Sequence, residues 1–363
     1  MTMDALPDPV RAWFARHFGD PQAIIMSAIL VFGFGIVLLL GDMLAPMLAA
    51  LVIAYLLDSL IVALETRGAP RGAAFGLVFL LFVALGLLTL FGLLPLLSMQ
   101  VSQLVVLLPD MIGKGQGLLM QLPESYPEIF TAQQVSDLVT GIRQELLGMG
   151  DKALSFSLSS VMGLVALGVY LVLVPILVFF FLKDKVHIQD WFMSYLPRKR
   201  WVANQIWTEV DMQLGNYVRG KFWEFLIMWI VDYIAFVILG LPFAMLLSVL
   251  VGLSVIVPYI GMVAVTFPVV LVAYFQWGLT PEFYWLVTVF FILQAIDGNV
   301  LVPLLFSEVV NIHPIAIIVS ILVFGGLWGL WGVFFAIPLA TLVKAVLNAW
   351  PSLPDPEPPT RAA

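Results

Sequence analysis

Cysteine is absent from this chain of 363 residues, and charged side chains are scarce. Without cysteine there are no disulfides, thiolate metal sites or cysteine nucleophiles. The three histidines, His17, His187 and His313, do not have the H-x-x-x-H spacing of a zinc site. Acidic residues outnumber basic ones 23 to 16, which argues against nucleic acid as a partner. We therefore expect neither a metal nor another cofactor.

Apolar residues make up most of the chain. Hydrophobic residues account for 62%, charged residues for only 11%, and the mean hydropathy is +1.07. Soluble domains are about half apolar and about a quarter charged. The composition therefore predicts an all-α polytopic membrane protein, held by lipid contacts over much of its surface.

Apolar runs near the length of about 20 residues needed to cross a bilayer recur along the sequence. Gly41-Asp42 and Gly240-Leu241-Pro242 are predicted turns between neighbouring runs. Segments 243–276 and 313–347 contain glycine and proline and exceed 30 residues each, so each is kinked, re-entrant or a hairpin. Counting each as one crossing gives about eight spans. The other runs are 23–40, 43–57, 73–97, 158–182, 222–239 and 282–302.

The basic residues predict the orientation. Seven lie between Lys183 and Lys221, but only three lie in 98–157. Basic loops stay in the cytoplasm, so both termini are predicted to be cytoplasmic. The predicted organisation is an N-terminal arm (1–22), first spans (23–97), an external helical subdomain (98–157), a span (158–182), a cytoplasmic amphipathic region (183–221), a C-terminal transmembrane core (222–350) and a disordered tail (351–363).

Two amphipathic helices are predicted outside the spans. In the external subdomain, Thr131 and Gln134 form a capping box ahead of an apolar stripe that begins at Val135. That stripe packs on the subdomain or on a neighbouring subunit, or else serves as a substrate lid. The cytoplasmic region carries a stripe beside Trp201 and the basic Arg198-Lys199-Arg200, which is typical of a helix on lipid headgroups.

The segment Gly215 to Lys221 matches the G-x-x-x-x-G-K pattern of a nucleotide-binding loop. Phe222, however, replaces the serine or threonine that would hold magnesium, and an apolar helix follows. Arg219 and Lys221 are better explained as cationic anchors at the cytoplasmic end of a span. Without a nucleotide site, uphill transport must draw on an ion gradient, which points to a secondary transporter or a passive facilitator.

Acids within the apolar runs are candidate functional residues, because a charge inside the membrane costs about 2.5–3.5 kcal/mol on insertion scales and usually faces the bundle interior. Asp232 lies near the middle of run 222–239, and Glu224 lies eight residues earlier, about 80° around a helix. Asp232 is a proton carrier or a structural polar contact. Glu224 is a further candidate, or it merely pairs with Lys221 or reaches headgroups.

A second acidic segment, Asp297-Gly298-Asn299 followed by Pro303, ends a long apolar run. We expect a discontinuous helix here, with free carbonyls and the Asn299 amide lining a polar cavity. Asp232 and Asp297 also raise the alternative of an aspartyl intramembrane protease. Neither lies in a G-x-G-D context, so no enzymatic function is predicted.

Several motifs together resemble the autoinducer-2 exporter (AI-2E) family. They are Pro258-Tyr259-Ile260-Gly261, the segment from Gln294 to Pro303, His313-Pro314, and Gly329-x-x-Gly332 ahead of Ala336-Ile337-Pro338. The resemblance implies a bacterial inner-membrane protein of about eight spans that forms homo-oligomers. It also implies export of autoinducer-2 or sodium/proton exchange. Met262 stands where many members carry proline, and Trp328 and Trp331 are bulkier than usual.

We therefore predict a secondary transporter or permease for a small polar solute or ion. The alternative is a membrane scaffold or regulator that works through its external subdomain. The predicted path residues are Asp232, Asp297, Gly298, Asn299, Pro303, Pro258 and Gly261, with Glu224 and His313 as further candidates.

Overall fold

The computed structural model describes residues 21–119, 131, 133–134, 137, 140–141, 160–194, 201–258, 260–306 and 313–349. In these residues the regular structure is helical throughout, which confirms the predicted all-α class. The helices are α1 (Pro21–Glu65), α2 (Arg71–Leu88), α3 (Leu94–Leu119), α4 (Ser160–Lys183), α5 (Lys185–Ser194), α6 (Trp201–Leu239), α7 (Ala244–Ser254), α8 (Ile260–Trp277), α9 (Pro281–Ile296), α10 (Val302–Phe306) and α11 (Pro314–Ala349).

Six helical segments of the described chain are long and apolar enough to cross a membrane, and two shorter apolar helices accompany them. The polytopic character predicted from composition is thereby confirmed. The eight predicted runs map onto these helices unevenly, because two runs merge into α1 and segment 243–276 divides in two. The six segments are 43–65, 71–117, 207–239, 260–277, 281–306 and 315–344, and the shorter ones are 168–183 and 244–254.

The predicted turn at Gly41-Asp42 is wrong, because α1 continues through it without interruption. Glycine inside a helix costs only about 1 kcal/mol relative to alanine, which the flanking leucines and methionines offset. Gly41 is buried, and a β-carbon on it would overlap the indole of Trp328. This glycine therefore permits close side-chain packing rather than a turn. The other predicted turn, at Gly240, is confirmed by its positive φ of 75°.

The chain contains two π-helical turns among its described residues, Thr89–Leu93 and Asp297–Leu301. Each turn ends two residues before a proline, Pro95 in the first case and Pro303 in the second. In each, the residue just before the proline donates its backbone N–H to the carbonyl five residues earlier. Proline lacks an N–H, and its ring clashes with the carbonyl four residues earlier in a regular α-helix. Widening the helix by one residue relieves this conflict while the helix continues.

Helices α7 and α8 form a hairpin. Gln276, near the end of α8, donates its side-chain N–H to the Gly240 carbonyl at 3.1 Å, so α8 returns to the level where α7 begins. At the other end, the backbone at Gly261 packs directly on the carbonyl of Ser254. The turn of residues 255–258, here called the hairpin tip, joins the two helices. Segment 243–276 is thus two antiparallel helices, as one of the predicted alternatives required.

Helix α11 also folds back on itself. Gly329 has φ 58° and ψ −137°, a conformation outside the helical region that L-residues avoid. Eight residues separate Gly332 from Phe324, yet a β-carbon on Gly332 would overlap the Phe324 carbonyl. In a straight helix these residues would be about 12 Å apart along the axis. Segment 313–347 is therefore sharply bent at Gly329.

The chain divides into two compact units. One unit comprises residues up to 56, 180–220 and from 306 onward, and the other comprises 57–179 and 221–305. In the second unit, the α7–α8 hairpin packs in an apolar core with α6 and α9. The side chain of Gln100 on α3 accepts the Leu246 backbone N–H at 2.8 Å, which satisfies a donor in the first turn of α7. The fully buried members of this core are Leu247, Val251, Val269, Ala273, Leu286 and Phe290.

The hairpin glycines make a testable prediction. We expect Gly261→Ala and Gly332→Ala to lower the free energy of unfolding by about 1–3 kcal/mol or more, because a methyl group would overlap a backbone carbonyl. Gly326→Ala is the matched control, since nothing lies within 4 Å of its added β-carbon. Thermal unfolding of the purified protein in detergent measures the difference. Equal melting temperatures for all three variants would contradict the described close approach.

Candidate functional site: buried carboxylates around Lys221

Helix α6 carries a cation and two acids into the protein interior. Lys221 is 7% exposed, Glu224 3% and Asp232 0%. Lys221 and Glu224 lie one turn apart, and Asp232 follows two turns later, about 12 Å farther along the axis from Glu224. Burial of three ionisable side chains on one apolar helix is costly, so each needs a physical account.

Lys221 and Glu224 form a buried ion pair. The Lys221 Nζ lies 2.8 Å from Glu224 Oε2 and donates a second hydrogen bond of 2.7 Å to the Val255 carbonyl. The interpretation of Lys221 as a membrane-edge anchor is therefore wrong, because its ammonium points into the protein rather than to headgroups. The pairing of Glu224 with Lys221, one of the predicted alternatives, is confirmed.

The match to a nucleotide-binding loop is also explained. Residues 215–221 lie within the continuous helix α6, so their backbone N–H groups are directed along the helix and cannot cradle a phosphate. Gly220 instead lies against the ring of Phe306, where a β-carbon would be only 2.6 Å from a ring carbon. The glycine spacing in this segment therefore reflects helix packing.

Asp232 has a different environment from Glu224. Both of its carboxylate oxygens are buried and have no hydrogen-bond partner among the described residues. A buried polar group without a partner costs free energy, so it usually indicates a ligand, a proton or a functional constraint. Asp232 was a candidate from sequence, and the structure places it in the protein interior.

Gln294 lies on α9, which packs against the part of α6 that carries Asp232. Phe236 on α6 and Phe290 on α9 are in ring contact, with centroids 6.3 Å apart. The two helices run antiparallel, because Gln276, shortly before the start of α9, is bonded to Gly240 just past the end of α6. Moving one turn back from Phe236 and one turn forward from Phe290 therefore brings Asp232 and Gln294 to the same level. Gln294 is 5% exposed, and its Nε2 has no partner among the described residues.

Asp297 completes the charged cluster from the π turn at the end of α9. Its charge acts on both Asp232 and Glu224, and the positive charge of Lys221 acts on Asp297. One of its carboxylate oxygens, Oδ1, is buried without a partner in the described part of the chain. We call Lys221, Glu224, Asp232, Gln294 and Asp297 the carboxylate cluster. It contains three acids and one ammonium, so it carries an excess of negative charge when all are ionised.

The segment after Asp297 differs from the predicted helix break. The chain remains helical from α9 through the π turn into α10, because the widened turn accommodates Pro303. The exposed Asn299 side chain donates its N–H to the Ala295 carbonyl at 2.8 Å, one turn back on its own helix. Gly298 is exposed, with space for a side chain. The prediction of a discontinuous helix is therefore wrong, although the irregularity lies where it was predicted.

The remaining candidates occupy two places. Pro258 lies in the hairpin tip, and Gly261 is buried at the start of α8, where the chain crosses Ser254. His313 is exposed, and its Nδ1 accepts the Ile315 backbone N–H at 3.3 Å, so it caps the start of α11. Sequence reasoning assigned no role to Gln294. The sequence did contain a signal for Gln294, namely an amide side chain within an otherwise apolar run.

Comparison with known proteins identifies the family. The family model described as AI-2E family transporter matches residues 27–352, nearly the whole chain. The chain belongs to the AI-2E family. This AI-2E protein is 47% identical over 339 residues to the protein named "Putative permease PerM" of Escherichia coli (strain K12), covering 93% of this chain and 96% of that relative.

More distant AI-2E relatives are also named as transport proteins. "Putative transport protein YueF" of Bacillus subtilis (strain 168) is 30% identical over 276 residues, which is 74% of each chain. "Putative transport protein sll0063" of Synechocystis is 27% identical over 274 residues, which is 74% of this chain and 67% of that relative. The resemblance predicted from the motifs is confirmed, and the family and its relatives indicate a transporter.

The buried ion pair predicts a contrast with an exposed one. We expect Glu224→Gln to lower the free energy of unfolding by about 3–5 kcal/mol, because it removes the hydrogen-bonded counter-charge of the buried Lys221 ammonium. Glu65→Gln is the control, since Glu65 and Arg71 are 3.9 Å apart and their side chains are 28% and 60% exposed. An exposed pair contributes about 0–1 kcal/mol. Chemical denaturation in detergent measures the free energy of unfolding of both variants. An equal decrease in the two would contradict the burial of the Lys221–Glu224 pair.

Proposed function

We propose that this AI-2E protein is a secondary transporter or permease of the autoinducer-2 exporter type, that it moves a small polar solute or ion, and that cation movement drives the transport. The family and the names of its relatives support transport as the general function. The observation that carries the cation coupling is Asp232, which is fully buried and has no hydrogen-bond partner for either oxygen in the described chain.

Charge balance supports a cation as the coupling species. In the carboxylate cluster, three acids accompany one ammonium. Lys221 is bonded to Glu224, whereas both Asp232 oxygens and the Asp297 Oδ1 have no hydrogen-bond partner among the described residues. Each charged side chain in hydrocarbon costs about 2.5–3.5 kcal/mol or more, and protons or small cations are the species that remove an excess of negative charge. The cluster is thus suited to alternate between cation-loaded and cation-free states.

Two irregular elements next to the cluster are candidates for the moving parts. The π turn with Asp297, Gly298 and Asn299 ahead of Pro303 widens the helix at the acid itself, and π turns are frequent at functional sites. The hairpin tip, which includes Pro258 and leads into Gly261, is bonded to Lys221 through the Val255 carbonyl. The hairpin tip is also a break between two helices, and in secondary transporters interrupted helices commonly form the binding site. We propose that these elements change conformation as the cluster gains or loses a cation.

An enzyme or a scaffold fits these observations less well. In the carboxylate cluster, Lys221 is bonded to Glu224. The Gln294 amide lies at the level of Asp232, and this arrangement suits the compensation of charge. A scaffold acting through its external subdomain would have no need for unpartnered carboxylates inside its helices. The described part of that subdomain does contain the predicted capping box, in which Thr131 and Gln134 exchange hydrogen bonds of 3.2 and 3.4 Å. Its apolar stripe, and the basic Arg198-Lys199-Arg200, lie outside the described residues.

We further propose a bacterial inner-membrane location with cytoplasmic termini, contacts with membrane lipids, and a homo-oligomeric assembly. The asymmetry of the basic residues supports the orientation. The exposed apolar side chains along the helices support contacts with lipid or with further copies. The N-terminal arm and the C-terminal tail, 1–20 and 350–363, lie outside the described residues.

The coupling role of Asp232 has a direct test in liposomes. Asp232→Asn should reduce cation-coupled flux to the level of empty liposomes while membrane insertion is preserved, because the amide has similar size but cannot bind a proton or neutralise a cation. A lumenal pH dye records proton movement driven by gradients of sodium, potassium or autoinducer-2. The exposed acid Asp110 on α3 provides the control variant, Asp110→Asn. Parent-like coupled flux in Asp232→Asn would assign Asp232 a structural role only.

The orientation can be tested because the native chain contains no cysteine. A cysteine at Gln133 should react with an impermeant maleimide in intact spheroplasts, whereas a cysteine at Gln205 should react only after lysis. Gln133 is exposed, and Gln205 lies in the first turns of α6. The opposite labelling pattern would reverse the proposed orientation.

A further inference from the structure

The Lys221 ammonium binds a second acceptor in addition to its ion-pair partner Glu224. Its Nζ joins Glu224 on its own helix to the carbonyl of Val255 at 2.7 Å, just past the end of α7. A lysine ammonium has three N–H donors and no acceptor, and its flexible stem lets it bind groups from different elements. Lys221 therefore links the carboxylate cluster to the hairpin tip.

The carbonyl that receives Lys221 belongs to a helix end. The last carbonyls of an α-helix have no partner within the helix, and the partial negative charge at that end favours a cation. The ammonium of Lys221 thus stabilises the end of α7 and positions the tip that follows. Gly252 packs against Phe225 and Trp229 of α6, so the end of α7 rests on the same helix that carries Lys221. A shift of the Lys221 ammonium would act directly on this contact.

The same ammonium experiences the charge of the cluster. Lys221 acts electrostatically on Glu224 and on Asp297, and Asp297 acts in turn on Asp232. A cation that arrives at these carboxylates would compete with Lys221 for the same negative charge. Because like charges repel strongly in a medium of low dielectric constant, the two cations cannot both be held as tightly as either alone.

We infer that Lys221 is the resident cation of the carboxylate cluster and a positioning residue for the hairpin tip, so that entry of a proton or monovalent cation loosens its bond to the Val255 carbonyl and frees the tip. This inference rests on the proposed cation coupling and adds the element that responds to it. The coupling is reciprocal. A tip held against Lys221 weakens cation binding, and a bound cation weakens the hold on the tip.

The test measures how accessible the tip is. A cysteine introduced at Val257 is the only thiol in the protein, and its rate of reaction with N-ethylmaleimide reports the opening of residues 255–258. The rate is measured in proteoliposomes over a range of sodium at constant pH, with choline as the replacement, and over a range of pH at low sodium. A cysteine at Leu279, which is 66% exposed, corrects for the effect of pH on the thiol itself.

The labelling is compared in four forms of the protein, so that the effect of the Lys221 charge can be told from the effect of its packing. In the parent and in the control Lys114→Met, which alters an exposed lysine of α3, labelling at Val257→Cys should rise as sodium or protons are added. Lys221→Met should label rapidly without added cation, and its coupled flux should reach half its maximum at a roughly 5- to 150-fold lower cation concentration, the usual range of a coupling between two sites. Lys221→Arg keeps the charge and should retain a cation-dependent profile close to that of the parent.

The contrary outcomes are distinct. A uniform loss of flux in Lys221→Met, with the labelling profile and half-maximal concentration unchanged, would assign Lys221 a structural role and overturn the inference. If Lys221→Met does not fold, the double variant Lys221→Met/Glu224→Gln removes both charges and is measured in its place. Absence of coupled flux in the parent would overturn the proposed function itself. Coupled flux in the parent with a tip that labels at one rate under all conditions would overturn only the inference about Lys221.

Discussion

The cost of placing charge and unpaired polar groups away from water constrains this structure more than any other factor. Hydrocarbon offers no hydrogen-bond partners, so backbone groups must be satisfied by helices and ionisable side chains by each other. The bond between Lys221 and Glu224 meets this requirement locally. Asp232 does not meet it, because its buried oxygens have no partner in the described residues. Two acids on one helix thus have opposite environments: Glu224 is bonded to a counter-charge, and Asp232 is buried without a hydrogen-bond partner in the described residues.

The irregular elements satisfy the same constraint by different means. Proline removes a backbone donor, and the chain responds at Pro303 with a wider turn rather than an end. The α7–α8 hairpin leaves carbonyls at the end of α7, and one of them is bound by Lys221. The start of α7 is satisfied by Gln100. Side chains from other helices thus permit a fold in which helices end inside the protein.

The sequence predicted elements better than it predicted geometry. Composition was sufficient for the all-α membrane class, and Thr131 and Gln134 were sufficient for a capping box. Glycine was ambiguous, because Gly240 forms a turn whereas Gly41 permits close contact with an indole inside a helix. Only a three-dimensional partner distinguishes these cases. The burial of Lys221 was missed for a related reason, since its second acceptor is the carbonyl of Val255, 34 residues away.

The π turn at Asp297 also fixes the rotational register of the chain that follows. A π turn is equivalent to one extra residue within an α-helix, and one residue corresponds to a rotation of about 100° and a rise of about 1.5 Å. The side chains of α10 therefore face a direction that a regular continuation of α9 would not give them. Insertion or deletion of a single residue here would redirect Phe306 away from Tyr217, whose ring it meets with centroids 6.0 Å apart. The length of this segment is consequently under stricter constraint than the identity of its exposed residues.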